Sequence, residues 1–442
     1  MVDNVTHNRS VNLSASNANP NRRDRIGEMT RANIGLTCPD DRPVVAVVAR
    51  DVHTHGGMER VHAELVRRLA GRYRFIIVST TLDPDLKQVV TWLRVRTPRR
   101  PASIAAPTFF AAATVRTALA RAELIHTCGA VVANHVDLST VHFCHAAFRS
   151  SNGGLAPAGS PMGRRLNTAV LRSFGIAAER WCYRAERAAA LGAVSRQVED
   201  ELGHYYPRAR VVSTPNGVDV ARFRPDEQSR VAARYDRRVR SEEIVALFVG
   251  GDWDRKGLGL AIESVAEARR LGAPIRLWVL GSGPKDRFYR HAVKQGIAGE
   301  VDFLGQHDDA ARWFQGADLY LCCSQYEAFS LAMIEGAASG LPVVTVPVGG
   351  AIEIVSGGDA SGEPAGVIVG RNANEIGRVL AKLAMDENGR QQLGSAARIR
   401  AVGFGWDALA ARVDDLYQSL LVDSTNGSKG SRTTRRWGPI FP

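Results

Sequence analysis

The stretch from residue 319 to 353 constrains the fold more than any other part of the chain. Residues 319–323 form a short apolar run that is typical of a buried strand. Ser330 is a suitable N-cap for a helix beginning at Leu331, and Gly340 is placed to end that helix before a second strand. A strand–loop–helix–strand unit builds a parallel sheet. It leaves a helix N-terminus at the carboxyl edge of the strands, where open α/β sheets bind ligands.

Two carboxylates belong to this unit, Glu327 in the predicted loop and Glu335 inside the predicted helix. The free backbone N–H groups at Ser330 and Leu331 suit a diphosphate lying between them. On spacing alone, an alternative stays open in which both carboxylates are ordinary solvated side chains, because short patterns also occur by chance.

Composition sets wider limits on this chain. Its 442 residues favour two domains. A formal charge of +12 implies affinity for anions, which include nucleotides, lipid surfaces and nucleic acid. The six cysteines form no C-x-x-C pair, and neither a signal peptide nor an apolar run of the ~18 residues of a membrane span is recognisable. The sequence therefore predicts a cytoplasmic protein that is soluble or peripheral on the inner face of a membrane.

Six further motifs follow one another in a fixed order. They are HTHGGMER at 53–60, AVSRQ at 193–197, STPNGVDVARF at 213–223, FVGGDWDRKG at 248–257, VLGSGP at 279–284 and DFLG at 302–305. Together with the E-x7-E spacing of Glu327 and Glu335, this order resembles that of the retaining glycosyltransferases of family 4. The resemblance covers nearly everything between residues 44 and 421.

The resemblance implies an α/β protein of the GT-B class, with two Rossmann-like doubly wound domains facing each other across a cleft. Together with the polar, aperiodic composition of both ends, it also implies a division of the chain into consecutive segments. These are a flexible tail (1–42), an acceptor-side domain (43–214), a nucleotide-sugar domain (215–400), a closing helix that packs back on the first domain (401–422) and a second flexible tail (423–442).

Roles for individual residues follow from the same resemblance. Glu327 would be the catalytic carboxylate and Glu335 would bind ribose hydroxyls. The remaining donor-binding candidates lie in glycine-rich or basic loops and at the start of the central helix. They are Gly56, Gly57, Arg255, Lys256, Ser330 and Leu331, with Arg60 as a more tentative acceptor-side or donor-side residue.

Two histidines, His142 and His145, belong to a segment predicted as a strand from 138 to 145. Residues three apart in a strand face opposite sides, which argues against His142 and His145 chelating one ion. In the resembling enzymes a histidine just past the end of such a strand contacts the transferred sugar. That position favours His145 over His142, which the prediction places inside the strand.

Neither a metal nor another cofactor is expected at the diphosphate. Arg255, Lys256 and a helix N-terminus already supply positive charge there. Asp83 and Asp85 form a D-x-D pattern, which holds metal-bound diphosphates in another glycosyltransferase fold, but they fall in a polar loop far from the E-x7-E pair.

The implied function is retaining transfer of a sugar from a UDP- or GDP-linked donor to a glycan or lipid-linked acceptor. A GT-B phosphorylase, a nucleotide-sugar epimerase and a non-catalytic basic module for membranes or nucleic acid remain alternatives, although nucleic acid is not the expected partner. Four arginines precede an apolar segment and could contact an anionic membrane surface, or could equally be solvated. They are Arg94, Arg96, Arg99 and Arg100.

Overall fold

The computed structural model describes residues 41–54, 56–152, 161–356 and 363–426. The two predicted flexible tails fall mainly on residues 1–40 and 427–442, which lie outside the described residues. The last helix continues to Asn426 and so includes the first residues of the segment predicted as the second tail.

The N-terminal lobe is built from alternating strands and helices between residues 42 and 213. Its strands are β1 (Val44–Val48), β2 (Asp51–Val52), β3 (Arg74–Ser79), β4 (Thr81–Leu82), β5 (Thr91–Arg94), β6 (Leu124–Cys128), β7 (Val136–Val141), β8 (Ala188–Ala193) and β9 (Val211–Ser213). Its helices are α1 (Met58–Leu69), α2 (Ala102–Leu119), α3 (His145–Asn152), α4 (Met162–Cys182) and α5 (Arg196–Tyr205).

The C-terminal lobe follows the same alternation from residue 227 onwards. Its strands are β10 (Ile244–Val249), β11 (Ile275–Leu280), β12 (Val301–Gly305), β13 (Leu319–Cys322), β14 (Val343–Thr345) and β15 (Gly366–Ile368). Its helices are α6 (Glu227–Asp236), α7 (Trp253–Lys256), α8 (Leu258–Arg270), α9 (Lys285–Lys294), α10 (Ala311–Gly316), α11 (Leu331–Ala338), α12 (Ala373–Met385), α13 (Glu387–Val402) and α14 (Trp406–Asn426).

Each lobe has one main parallel sheet with a reversal in strand order. The first sheet runs β5-β3-β1-β6-β7-β8-β9 and the second runs β12-β11-β10-β13-β14-β15. The order reverses between β1 and β6 in the first sheet and between β10 and β13 in the second. Such a switch point opens a crevice at the carboxyl ends of the strands. The prediction of two doubly wound lobes is therefore confirmed, and the loops after β10 and β13 lie at the second crevice.

The chain crosses between the lobes twice, and the two crossings lie side by side. Val218 donates its N–H to Phe404 at 2.9 Å, and Trp406 donates its N–H to Val218 at 3.2 Å. Helix α14 then returns to the N-terminal lobe. Its Val413 and Tyr417 are buried in one apolar cluster with residues of β1, α1 and β3.

Among the described helices, α2 is long and apolar enough, by length and composition, to cross a membrane. This corrects the expectation that no segment meets that criterion. One face of α2 nevertheless buries Ala105, Phe109, Ala113 and Thr117. Phe109 and Ala113 belong to the same apolar cluster as Val48 of β1 and Val78 of β3. Helix α2 therefore covers one face of the N-terminal sheet.

Candidate active site

The central unit folds as predicted from its sequence. Strand β13 ends at Cys322, a loop follows, and α11 begins at Leu331. The Ser330 hydroxyl accepts a hydrogen bond from the N–H of Met333 at 3.4 Å and caps the helix. Gly340 has a φ of 78°, as expected for a glycine that ends a helix. The other N–H groups of the first turn of α11 lack intrahelical partners and lie at the end of the loop that follows β13.

Glu327 lies in the β13–α11 loop and is almost completely buried, with 8% of its surface exposed. Its Oε1 accepts a hydrogen bond from the Ser324 hydroxyl at 2.7 Å and lies 2.6 Å from Nζ of Lys256. Nη1 of Arg255 lies 3.5 Å from the same oxygen and donates to the carbonyl of Tyr326 at 2.9 Å. The structure thus brings together the predicted carboxylate and both predicted cations.

The sequence predicts Arg255 and Lys256 in a basic loop, but the structure places them in one turn of helix. Asp252 caps this turn, α7, by accepting a hydrogen bond from the N–H of Arg255. Gly257 ends it with a φ of 79°, and a Cβ there would lie 2.0 Å from the carbonyl oxygen of Cys323. Only glycine allows this approach. The close contact with the end of β13 places Lys256 beside Glu327.

A second glycine supports the backbone of Glu327 from the other side. The N–H of Gly349 donates to the carbonyl of Glu327 at 3.0 Å. A Cβ on Gly349 would lie 2.1 Å from the carbonyl oxygen of Ala328. The loop after β14 therefore packs directly under the loop that carries the carboxylate, which fixes the orientation of Glu327.

Glu335, one turn inside α11, is held by a residue of the opposite lobe. Nη1 of Arg60 in α1 donates to Oε1 of Glu335 at 2.7 Å. Burial raises the pKa of Glu335 to about 7, and the charge of Arg60 offsets part of this effect. The carboxylate predicted to bind ribose therefore lies at the cleft, and the tentative residue Arg60 contacts it from the opposite lobe.

The glycine-rich loop before α1 faces the same helix N-terminus. A Cβ on Gly57 would lie 3.7 Å from Cδ1 of Leu331, and Gly56 has a φ of 91°. Further polar contacts cross the cleft nearby: the Tyr326 hydroxyl donates to Glu201 at 3.0 Å, and Glu353 accepts from the N–H of Arg196 at 2.5 Å. The predicted donor-binding residues thus line one cleft between the lobes.

Sequence reasoning missed Ser324, whose hydroxyl orients the Glu327 carboxylate. A signal was present, because a polar residue directly after a buried strand and three residues before a carboxylate is well placed to donate to it. A polar residue in a predicted loop is usually solvated, so the sequence alone did not single out Ser324.

The structure places His142 differently from its predicted position, whereas His145 lies beyond the strand as predicted. Strand β7 ends at Val141, so His142 is the first residue past the strand and His145 is the first residue of α3. The prediction that His142 lies inside the strand is wrong, because the apolar run continues beyond the strand into the following turn. His142 is buried, whereas the His145 ring packs on Phe143 with 4.8 Å between centroids. Both histidines border one cavity of about 370 Å³ in the N-terminal lobe.

Because His142 directly follows the strand, we expect it to matter more for turnover than His145, which is the reverse of the preference from the sequence. We expect His142→Ala to lower kcat more than His145→Ala, by about tenfold, the contribution of one good polar contact. His142 lies at the carboxyl edge of the sheet, while a Cβ on Gly175 would lie only 2.7 Å from the His145 ring, which is therefore wedged against α4. Steady-state kinetics of both variants, after matching their thermal unfolding, make the comparison. Equal losses, or a larger loss for His145→Ala, would contradict this assignment.

The D-x-D pattern has a structural role. Asp83 accepts a hydrogen bond from the N–H of Asp85 and pairs through Oδ2 with Nη2 of Arg67 at 2.9 Å. Together they begin a short 3-10 turn in the N-terminal lobe. The Asp83 carboxylate is therefore engaged by its own lobe and does not reach the Glu327 cluster.

Two family models match this chain, one in each lobe. The model for Glycosyltransferase Family 4 matches residues 55–222, and the model for Glycosyl transferases group 1 matches residues 232–400. Together they include Gly56, Arg60, Lys256, Glu327 and Glu335.

Two curated relatives with the same description match this chain. The D-inositol 3-phosphate glycosyltransferase of Streptomyces bingchenggensis is 31% identical over 239 residues, which cover 50% of this chain and 51% of that protein. The protein of the same description from Streptomyces avermitilis is 29% identical over 297 residues, which cover 64% of this chain and 60% of that protein. The chain thus spans between half and three fifths of the length of these relatives.

Solved structures share the fold over nearly their whole length. WaaG, a glycosyltransferase involved in lipopolysaccharide biosynthesis, superimposes with a TM-score of 0.70 at 20% identity, over 84% of this chain and 99% of WaaG. Sucrose-phosphate synthase from Thermosynechococcus elongatus gives 0.67 at 22% identity, over 86% and 100%. Anabaena HepE in complex with UDP and glucose gives 0.62 at 16% identity, over 86% and 100%. With a family model on each lobe and this shared architecture, the chain belongs to glycosyltransferase family 4 and has the GT-B fold.

Proposed function

We propose that the protein transfers a sugar from a UDP- or GDP-linked donor to an acceptor hydroxyl, with retention of the anomeric configuration. The observation that carries the proposal is the buried contact of 2.6 Å between Glu327 and Lys256, beside the capped N-terminus of α11. A carboxylate, an ammonium and free N–H groups at one switch point are the groups that such a donor requires.

The donor's diphosphate has cations and N–H donors within reach. Lys256 and Arg255 can form charge-assisted hydrogen bonds with phosphate oxygens, and the first turn of α11 adds N–H groups and the positive end of the helix dipole. The solved HepE structures contain UDP, UDP and glucose, or UDP-glucose, which supports a nucleotide-sugar donor. This arrangement needs no metal ion at the diphosphate.

The same groups suit both charges that form during glycosyl transfer. The anomeric carbon becomes positively charged as the glycosidic bond breaks, and a fixed carboxylate such as Glu327 stabilises that charge. The diphosphate leaves with its bonding electrons, and Lys256 and Arg255 stabilise the negative charge that it gains. Glu335 would bind the ribose hydroxyls once Arg60 releases Oε1 of Glu335.

The acceptor would bind in the cavity of the N-terminal lobe. Apolar side chains make up much of its wall, and among the described lining residues Arg50 is the only arginine or lysine. These apolar residues include Phe109, Phe110, Phe143, Leu171 and Phe174. Such a wall favours an acceptor with an apolar portion, as in a lipid-linked glycan. The description of the curated relatives makes inositol 3-phosphate the second candidate.

The function is tested in two steps. First, thermal unfolding is measured with UDP, GDP and other nucleoside diphosphates, since a ligand at 100 times its Kd adds about 2.7 kcal/mol to stability. Second, the nucleotide that stabilises the protein is supplied as its sugar conjugate, with a lipid-linked glycan or inositol 3-phosphate as acceptor. We expect a product with the anomeric configuration of the donor. An inverted product, a need for inorganic phosphate, or sugar conversion without an acceptor would contradict the proposal.

We also propose that the N-terminal lobe contacts an anionic membrane surface, on the cytoplasmic side. Arg94, Arg96, Arg99 and Arg100 are all exposed and directly precede α2. Exposed apolar side chains continue this surface on two adjacent helices. They are Ile104, Val115 and Leu119 on α2 and Met162, Leu166 and Val170 on α4. Basic and apolar groups side by side can bind anionic headgroups and insert shallowly.

Flotation with liposomes tests this surface. We expect the protein to float with anionic vesicles at low salt and to be released at high salt, because each arginine near an anionic surface contributes about 1 kcal/mol. Neutral vesicles should bind it weakly. A variant with Arg94, Arg96, Arg99 and Arg100 replaced by serine should stay unbound. A matched variant with four exposed arginines of the C-terminal lobe replaced, Arg238, Arg270, Arg290 and Arg378, should float normally. Unchanged flotation of the first variant would rule out this surface.

A further inference from the structure

Three potential metal ligands meet at the switch point of the N-terminal sheet. His62 lies on α1, Cys128 ends β6, and His142 directly follows β7. Strands β6 and β7 are parallel neighbours, with Cys128 paired to Thr140, so their carboxyl ends lie together. One potential ligand atom from each of the three side chains lies within 4.8 Å of the other two. No residue of the Glu327 cluster takes part.

The imidazole nitrogens show which of the buried histidines are free to bind an ion. His126 has both nitrogens engaged, by the Tyr417 hydroxyl at 2.6 Å and the Thr140 hydroxyl at 2.7 Å. In contrast, Nε2 of His62 and Nε2 of His142 are buried without a hydrogen-bond partner among the described residues. Leaving such nitrogens unpaired is costly, and a bound ion would satisfy them.

His62 also has the supporting contact that metal-binding histidines usually have. Its Nδ1 lies 3.4 Å from the carbonyl oxygen of Met58. With the proton on Nδ1 directed at that carbonyl, Nε2 presents its lone pair.

We propose that His62, Cys128 and His142 form a binding site for Zn²⁺ at the floor of the N-terminal cavity. Two imidazoles and a thiolate are soft and borderline ligands that suit zinc and do not suit Mg²⁺ or Ca²⁺. Cys128 and His142 line the cavity, so a fourth coordination position would open into it. Binding forms the bond from Cys128 Sγ to zinc and releases the thiol proton to solvent.

This site would connect α1 to β6 and β7, which are hydrogen-bonded neighbours in the sheet. The helix that carries His62 also carries Arg60, whose guanidinium pairs with Glu335 across the cleft. An ion held by α1, β6 and β7 would fix the start of α1 and the glycine-rich loop before it. The site lies apart from the Glu327 cluster. It includes His142, whose loss is expected to lower kcat, but its test measures bound metal and not turnover.

Zinc binding by the tag-free full chain is the test. The protein is stripped with a chelator, given Zn²⁺ and desalted, and bound metal is then measured by mass spectrometry and by competition with a chromophoric chelator. We expect one ion per chain. Cys128→Ser should weaken binding by more than the roughly 10- to 100-fold that loss of an outer-shell partner causes. Cys182→Ser is the matched control, since a hydroxyl can keep the hydrogen bond to Val132, and it should bind zinc normally.

Two further readouts do not depend on the folding of a variant. Cobalt in place of zinc should give the wild-type protein a thiolate-to-metal charge-transfer band, which reports a sulfur ligand directly. In the wild-type protein, zinc should also protect Cys128 from alkylation more than it protects Cys144, as measured on the digested peptides. Absence of the charge-transfer band, equal alkylation of Cys128 with and without zinc, or undiminished binding by Cys128→Ser would overturn the proposal.

Discussion

Replacing Glu327 by glutamine is expected to lower kcat by about 10²- to 10³-fold, the scale seen when one preorganised electrostatic group is removed from an active site. The substitution keeps the volume and leaves an oxygen that can still accept from Ser324 and Lys256, whose contacts are 2.7 and 2.6 Å in the wild type. What is lost is the negative charge that would stabilise the developing cation.

Steady-state turnover with the identified donor, together with the Kd for the nucleoside diphosphate, measures this effect. The Kd should be unchanged or lower, because a negative charge beside the diphosphate is removed. Glu263→Gln is a matched control, since Glu263 pairs with His291 on α8 and α9 and belongs to no cleft contact described above. A kcat of Glu327→Gln close to that of the wild type would contradict the catalytic assignment.

Replacing Lys256 by alanine is expected to weaken binding of the nucleoside diphosphate by about 1.5 to 3 kcal/mol, or roughly 10- to 150-fold, the contribution of a charge-assisted hydrogen bond. Binding of the bare nucleoside should barely change, because Lys256 projects from the turn after β10 toward Glu327 and the α11 N-terminus. Titration calorimetry with both ligands measures the two effects separately.

The control for this variant is Lys294→Ala, which removes an exposed lysine from the last turn of α9. It should leave both affinities unchanged. If Lys256→Ala weakened the binding of nucleoside and diphosphate equally, Lys256 would be supporting the loop around Glu327 instead of contacting phosphate. Thermal unfolding of the variant is needed alongside, because Glu327 loses its ammonium partner.

The local part of the site could be predicted from sequence. Ser330, Leu331 and Gly340 specify the start and end of α11 through short-range rules for capping and for positive φ, so the central unit folds as predicted. The order of apolar runs likewise specifies alternating strands and helices, which lead to two doubly wound lobes. These features depend on residues that are close together in the chain.

Contacts between distant residues could not be predicted in the same way. The pairing of Arg60 with Glu335 joins positions 275 residues apart, and no local pattern encodes it. The proximity of His62, Cys128 and His142 could not be predicted from sequence, because the three residues belong to separate elements. The end of β7 was misplaced because Phe143 and Cys144 are as apolar as strand residues, although they already belong to the turn.

The return of α14 has a consequence for synthesis on the ribosome. The N-terminal lobe buries part of its apolar surface, including Val45 and Leu65, against Val413 and Tyr417 near the other end of the described chain. Domains usually fold as they emerge, the first one first. Here the first lobe cannot complete its core until the second lobe and α14 have been translated. The apolar surface that α14 covers is therefore exposed while the rest of the chain is synthesised. A gene truncated between β9 and α6 would give an N-terminal fragment whose apolar surface stays uncovered. Co-expression of residues 406–421 would cover that surface and restore the fragment's solubility.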